Sequence, residues 1–256
     1  MKVIKVDLPR HLKEVELHIF SDWHIGDKFC DEQKIKEQIA RVRDNENAYC
    51  ILNGDLMNNA TKTSVSDCYA EQLTPMEQVE RCVELLAPIA KKVVAIVNGN
   101  HENRTKIKEG IDITKLIAMQ LGIDERYSPT SCFIFLRLGD ARKAERQICY
   151  MLYHLHGSGG GRKEGAKAIR LADMACICDA DIMIHSHTHL PMVMRQAFYR
   201  TSPANSSLAK VERLFVNSGS SLDYGGYGEA FEFKPSSKES PVIHLSGVKK
   251  KFDATL

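Results

Sequence analysis

The sequence lacks several things that would settle its class at once. No apolar stretch approaches the roughly 20 residues needed to cross a bilayer, and the N-terminus carries Asp7, Glu14 and Glu16 around a short apolar run, which is unlike a secretory signal. No internal repeat and no Pro/Gly/Ser-rich linker interrupts the 256 residues, so one domain is expected. Its bounds would be 1–256, with a core over about 15–217 and residues 218–256 packed on it. Charge of one sign is also missing. The net charge of +2 comes from 35 Lys and Arg against 33 Asp and Glu, so any attraction for an anion has to be local. The eight cysteines are scattered without a four-cysteine zinc spacing, and Cys176-Ile177-Cys178 is too short for a CxxC redox pair. A reducing compartment and a soluble, cytoplasmic protein follow as expectations, with no membrane partner.

What the chain does have is an alternation of strand and helix patterns. Val15–Phe20, Tyr49–Leu52 and Val93–Val97 read as strands. Between them, Asp31 is placed to cap a helix with Ile35, Ile39 and Val42 on one face. Thr74-Pro75-Met76-Glu77 opens a second helix, whose apolar stripe would be Met76, Val79, Val83 and Leu86. Residues 58–73 are polar without an apolar period, and a loop of that length is often functional. Residues 111–121 repeat the helical pattern. This much predicts an α/β sheet. Ser131–Leu138 and Gln147–Tyr153, joined by a charged turn, then suggest a second, more antiparallel sheet. A helix is expected from about Glu164 to Cys178, followed by a strand that opens at Ile182 and ends at the histidine cluster, and by strands at 192–198, 211–216 and 242–245. Residues 1–14 read as a leader or an edge strand, and Gly219–Gly228 as a flexible loop.

The predicted strand ends carry the chemistry. Asp22 with His24, Asp55, Asn100 with His101, the pair His154 and His156, and His187 with His189 each follow an apolar run. In open α/β sheets ligands gather beyond the carboxyl ends of the strands. A lone Gly-Asp is usually a turn; five such groups in one kind of position are not readily accidental. The last group lies in Ile184-His185-Ser186-His187-Thr188-His189. If that strand continued, its three histidines would share a face; if the backbone turns after Ile184, His187 and His189 converge beyond the strand end. Mixed oxygen and imidazole donors favour Mn, Fe, Co, Zn or Ni over Ca or Mg, and the absence of thiolate argues against a structural zinc knot. Two close dications suit hydrolysis at phosphorus.

At these residues the sequence resembles the calcineurin-like metallophosphoesterases. Asp22-Trp23-His24 is similar to the family's DxH motif, and Gly54-Asp55 to its GD motif. Gly99-Asn100-His101-Glu102 matches GNH[DE], and Ser186-His187-Thr188-His189 matches GHxH with serine in place of the glycine. His156 followed by Gly157-Ser158-Gly159 further resembles small phage or prophage members, whose setting would be a host cytoplasm. The resemblance implies a four-layer α-β-β-α sandwich of mixed sheets and two divalent ions, Mn foremost. Asp22, His24 and His189 would hold one ion, Asn100, His187 and His156 the other, and Asp55 would bridge them. His154 competes with His156, or orients a ligand from behind. His185 is read as a buried hydrogen-bonded residue or a secondary ligand, and His101 as general acid or phosphate-orienting group.

The implied reaction is in-line attack on a phosphate ester by a metal-bound hydroxide, without a covalent intermediate. Arg104 and Arg162 are candidate contacts to the phosphate oxygens, Lys163 beside them. A phosphodiester or phosphomonoester of a small or single-stranded substrate, such as a nucleotide, ranks ahead of a DNA or RNA nuclease. The aromatics that a nuclease would stack on are sparse: Tyr69, Tyr224 and Tyr227, with Lys62 nearby in sequence. A non-catalytic module that keeps the fold is the third reading. An apolar surface over 192–216 would suit a homodimer.

Overall fold

The computed structural model describes residues 1–62, 64, 66–139, 147–159 and 161–256. The charged turn expected between Leu138 and Gln147 spans 140–146 and, like Gly160 of the glycine loop, lies outside the described residues.

Twelve strands among the described residues form two six-stranded sheets. The first is ordered β12-β11-β2-β3-β4-β5, from β2 (Glu14–Phe20), β3 (Ala48–Leu52), β4 (Val93–Val97), β5 (Tyr127–Ser128), β11 (Val242–Ser246) and β12 (Phe252–Thr255). The second is β1-β6-β7-β8-β10-β9, from β1 (Lys2–Asp7), β6 (Ser131–Leu138), β7 (Ile148–Leu155), β8 (Ile182–His185), β9 (Met192–Ser202) and β10 (Ser207–Asn217). Each sheet has parallel pairs at its centre, β2-β3-β4 in one and β7-β8-β10 in the other. Strands β6 and β7 pair antiparallel, as expected, and β9 with β10 likewise, on either side of the parallel centre of the second sheet. Both sheets are mixed: the first because β11 joins β2 antiparallel with β12 beyond it, the second through its antiparallel pairs β6-β7 and β9-β10, with β1 adding a parallel edge strand.

Side-chain alternation explains the layering. In β3, Ile51 points between the sheets while Cys50 and Leu52 point outward; in β8, Ile182 and Ile184 point inward and Met183 outward. The inter-sheet core unites Leu17, Ile19, Val94 and Val97 with Ile134, Leu152 and Val216. Outside the first sheet lie α1 (Glu32–Asp44), α2 (Pro75–Leu86) and α4 (Ile113–Gln120), packed through Ile35, Val79, Leu86 and Ile117. Outside the second lies α5 (Glu164–Asp173), packed through Leu171. This is the expected four-layer α-β-β-α sandwich.

Local signals account for most element starts. Asp31 accepts from the Lys34 amide, and Thr74 and Glu77 form a capping box at α2. The α2 stripe needs correction: Met76 is 49% exposed, and Val79, Cys82 and Leu86 make the buried face. Helix α5 is shorter than expected and passes into a tight turn over Met174–Cys176. Residues 1–14 resolve as an edge strand plus a turn, since Ile4, Leu8 and Leu12 enter the inter-sheet core. Full burial of such side chains is worth about 1.5–3 kcal/mol each, enough to hold the segment down. Helix α3 (Asn100–Glu109) and the short α6 (Gly226–Ala230) go beyond the expected elements. Gly219–Gly228 is not wholly loose either, because Ser220 Oγ and the Ser221 amide both donate to the Asp22 carbonyl. No helix among the described residues is long and apolar enough to cross a membrane.

Candidate metal centre

The five polar groups do meet, at the carboxyl ends of β2, β3, β4, β7 and β8. Three overlapping clusters have donor atoms within 4.8 Å of one another: Asp22-His24-His189, His24-Asp55-His101 and Asp55-His156-His187. His24 and Asp55 are the shared members. Strand β8 stops at His185, and the backbone then turns through His187 at φ 66° and His189 at φ 54°. The second of the two geometries open to this segment is the one adopted.

Backbone conformation marks the same residues. Asp22, His24, Asp55, His187 and His189 all have φ between 52° and 66°, the left-handed region that side chains with a Cβ avoid. Each such residue costs on the order of 1–3 kcal/mol and persists where the surroundings over-determine it. Each turns a strand end sharply, so its side chain faces the site and not the next stretch of sheet. Two glycines permit the loops to approach. A Cβ on Gly54 (φ 84°) would lie 2.5 Å from the Gly99 nitrogen, and one on Gly99 would lie 2.0 Å from Asp55 Oδ1.

Asp22 is fully buried. Its Oδ2 accepts from Ser21 Oγ at 2.7 Å and from the His187 amide at 3.2 Å. Its Oδ1 has no hydrogen-bond partner, although His189 Nε2 is 3.2 Å away. A buried carboxylate oxygen turned into a cluster of imidazoles and left without a donor is what a cation site requires. Burial pushes this carboxyl up, but His189 and His156 outweigh it and hold the group below the usual carboxylate range. Burial pushes the His24 imidazole far down, so it stands neutral.

Asp55 sits at the centre. Burial raises it, and His156 and His101 more than reverse this, holding it well below the ordinary range. Its Oδ1 accepts from the His101 amide at 2.9 Å, and its Oδ2 lies 3.0 Å from His156 Nε2. His156 Nε2 also meets Asn100 Oδ1 at 3.0 Å, while its Nδ1 donates to the Asn53 carbonyl at 2.7 Å. Burial works against the His156 proton, but the Asp55 charge prevails and the ring is pushed up to about 10. His187 goes the other way, lowered to about 4 by burial and the neighbouring His156 charge.

The remaining expected residues fall around this centre. His154 is fully buried between Asn53 Oδ1 at 2.9 Å and Cys132 Sγ at 2.8 Å, and burial lowers it to about 3. His185 is 5% exposed, with Nδ1 at 2.9 Å from Asn217 Oδ1. His101 Nδ1 donates to the Asn58 carbonyl at 2.7 Å, and Arg104 Nη2 donates to His101 Nε2 at 3.1 Å. Arg162 is exposed, 3.7 Å from Glu232 and set over the Phe233 ring. Lys62, Tyr69 and Tyr224 are solvent-exposed. The Tyr227 side chain lies outside the described residues.

Glu102, which sequence reasoning placed only as the last residue of its motif, and several residues to which it gave no role hold these in place. Glu102, buried at 1%, accepts from the amides of Asp55, Met57 and Gly99, so one carboxylate ties two of the motif loops together. Burial and the Asp55 charge push it up to about 7. Asn53, Asn58 and Asn217 each place a side-chain oxygen on a histidine Nδ1. Lys167 of α5 donates to the Thr188 carbonyl at 2.8 Å, between His187 and His189. The only sequence signal for such residues is an asparagine or acid within reach of a motif, and that is common in any loop.

The model for the calcineurin-like phosphoesterase family matches residues 16–191, more than half of the chain. The chain belongs to the calcineurin-like phosphoesterase family. No curated protein matches it. Solved structures with similarity to this phosphoesterase-family chain include a conserved protein of Streptococcus pneumoniae described as a predicted phosphoesterase, at 14% identity and TM-score 0.39, covering 95% of this chain and 90% of that one. A metallophosphoesterase of Sphaerobacter thermophilus has 15% identity and TM-score 0.41, over 91% and 83% of the two chains. A single-mutant Vps29 of Entamoeba histolytica has 13% identity and TM-score 0.41, over 94% and 98%. A metal-binding cluster typical of calcineurin-like hydrolases is present, with a donor set that fits two dications: two buried carboxylates, one with an unpartnered oxygen, amid imidazoles and a carboxamide.

Proposed function

We propose that this chain hydrolyses phosphate esters with two divalent ions, Mn²⁺ foremost. Asp22, His24 and His189 hold one ion, Asn100, His156 and His187 the other, and Asp55 is shared. The observation that carries this reading is the run of overlapping clusters joined through Asp55 and His24. When bound, the two ions would supply positive charge against a phosphoryl group and acidify water near neutrality.

The chain's own residues then do the following. Asp22 and Asp55 contribute two negative charges, which leaves a net positive cavity once two dications are present and attracts a phosphate despite the small overall charge. His101, fixed by Asn58 at Nδ1, presents Nε2 and the adjoining Arg104 guanidinium to the leaving oxygen and the phosphate. His101 orients the ester, or, once its ring is protonated and Arg104 has turned from Nε2 to the phosphate, gives the Nε2 proton to the leaving oxygen; Arg104 adds charge. Arg162 stands farther out as a phosphate contact. The buried His154 orients His156 through Asn53, and His185 braces the following turn through Asn217.

The substrate class is a phosphodiester or phosphomonoester of small or single-stranded type. The Gly157-Ser158-Gly159 run after His156 supports kinship with the phage-type subgroup, and eight free cysteines support a reducing, cytoplasmic setting. Hydrolysis of bis(p-nitrophenyl) phosphate beside p-nitrophenyl phosphate, with metal-free protein titrated with Mn²⁺, tests the proposal. Turnover that rises with Mn²⁺ supports it, and the preferred ester assigns diesterase or monoesterase. Protein that binds no metal and turns over neither ester would instead favour a non-catalytic module.

A further inference from the structure

The polar 58–73 stretch between β3 and α2 reaches His24 through Asn58. Asn58 is 2% exposed, and its Oδ1 lies 3.3 Å from His24 Nδ1. On the opposite side its Nδ2 donates to Glu71 Oε1 and, at 3.3 Å, to Asp27 Oδ2. Glu71 is itself held from behind, because its Oε2 accepts from Gln78 Nε2 at 2.6 Å. Gln78 also accepts from the Asn59 amide at 2.9 Å and donates to the Leu73 carbonyl at 2.8 Å, which clips the two ends of the loop to α2.

The direction of every bond in this chain is set from its far end. The Gln78 oxygen is taken by the Asn59 amide, so its nitrogen faces Glu71; Glu71 and Asp27 in turn accept from the Asn58 amide nitrogen, which leaves the Asn58 oxygen facing His24. An acceptor at Nδ1 keeps the His24 proton there and leaves the lone pair on Nε2, the nitrogen that lies 3.4 Å from His189 Nε2. We propose that Glu71 and Asp27 are a positioning pair that acts through Asn58 to hold His24 in its Nδ1–H form, so that the 58–73 loop sets the cation affinity of the Asp22 half of the site. The inference rests on the reading of His24 as a ligand and adds the residues that make it a competent one. Residues behind a metal-ligating histidine commonly tune affinity by about 10–100-fold.

The test has two parts, both on the full chain. Nitrogen-15 shifts of metal-free protein, with His24 assigned from a His24→Gln spectrum, report the tautomer directly. The Nδ1–H form is expected, and an Nε2–H form overturns the proposal whatever the variants do. Mn²⁺ affinity is then measured for wild type, Asn58→Asp, Glu71→Gln and the double variant. Asn58→Asp sets a third carboxylate against Asp27 and Glu71 and should weaken binding about 10–100-fold. In the double variant the amide introduced at position 71 can donate to the carboxylate introduced at position 58, whose other oxygen still accepts from His24. Affinity should then return to within a few-fold of wild type. A double variant whose loss is the product of the single losses overturns the proposal. Protein that binds no Mn²⁺ at all would sink the functional reading, while the nitrogen shifts would still decide the positioning role.

Discussion

Around Asp22, the aspartate is anionic and His24 neutral in the bare protein, and one carboxylate oxygen lacks a hydrogen-bond partner. Around Asp55, the same kinds of side chain have neutralised each other: His156, raised to about 10, sits 3.0 Å from Asp55 as an imidazolium. The contrast shows that proximity of donors and readiness for a cation are different properties. With the proposed ligands, a cation would enter the Asp22 half without displacing a proton from His24, whereas entry at the Asp55 half would have to expel the proton of His156.

The largest break in this comparison is Asp55→Asn. It removes the shared carboxylate and strands the buried His156 charge, and loss of one partner from such a pair costs about 3–5 kcal/mol. Activity should vanish and metal content fall, read by elemental analysis, with a lower urea midpoint for the metal-free protein. Retention of two metals with normal turnover would refute the shared role. Next in size is the pair His156→Ala and His154→Ala. The first should lose one metal per chain outright, the second only about 10–100-fold in affinity, as for a residue behind the ligand. The reverse order would mean that His154 is the ligand.

A pH dependence sharpens the comparison further. Metal loading at pH 7.5 should release about one proton per chain from His156, measured by calorimetry in buffers of different ionisation enthalpy. Affinity for the second metal should therefore weaken more steeply than for the first as pH is lowered. In the metal-free protein the sign reverses. Because the folded His156 is raised from 6.5 to about 10, its stabilising contribution is complete below pH 6.5 and is lost as pH climbs toward 10. Urea midpoints across that window should decline on the alkaline side. The smallest effect on metal content is expected for His101→Ala, which should keep its metals and lower kcat by about 10²–10⁴-fold for poor leaving groups and less for good ones. An equal loss on both would remove the acid role and leave phosphate positioning.

Much of this was legible in the residues because strand ends announce themselves. Apolar runs stop at Phe20, Leu52, Val97 and Ile184, and the polar residues beyond each stop are those that meet. The four layers follow from the same periodicities. Helix α3 was not legible, since Glu102 is its one buried residue and it presents no apolar period. It is held instead by the Glu102 contacts and by the left-handed Gly110 cap at φ 73°. The mixed pairing of the first sheet was hidden because β11 joins β2 from the far end of the chain, and the place of β1 because its partner β6 lies far away in sequence. Asn58, Glu71 and Lys167 escaped notice for a related reason. Their importance lies in what they touch, and a polar residue in a loop looks the same whether it faces water or a histidine.

The central claim is one site of two ions that share Asp55. Its most direct test is electron paramagnetic resonance of the Mn²⁺-loaded protein, titrated from zero to three equivalents. The account predicts that the second equivalent converts an isolated-ion spectrum into that of an exchange-coupled pair, and that Asp55→Asn abolishes the coupling. A spectrum of isolated ions at every loading, or binding that ends at one equivalent, would contradict it.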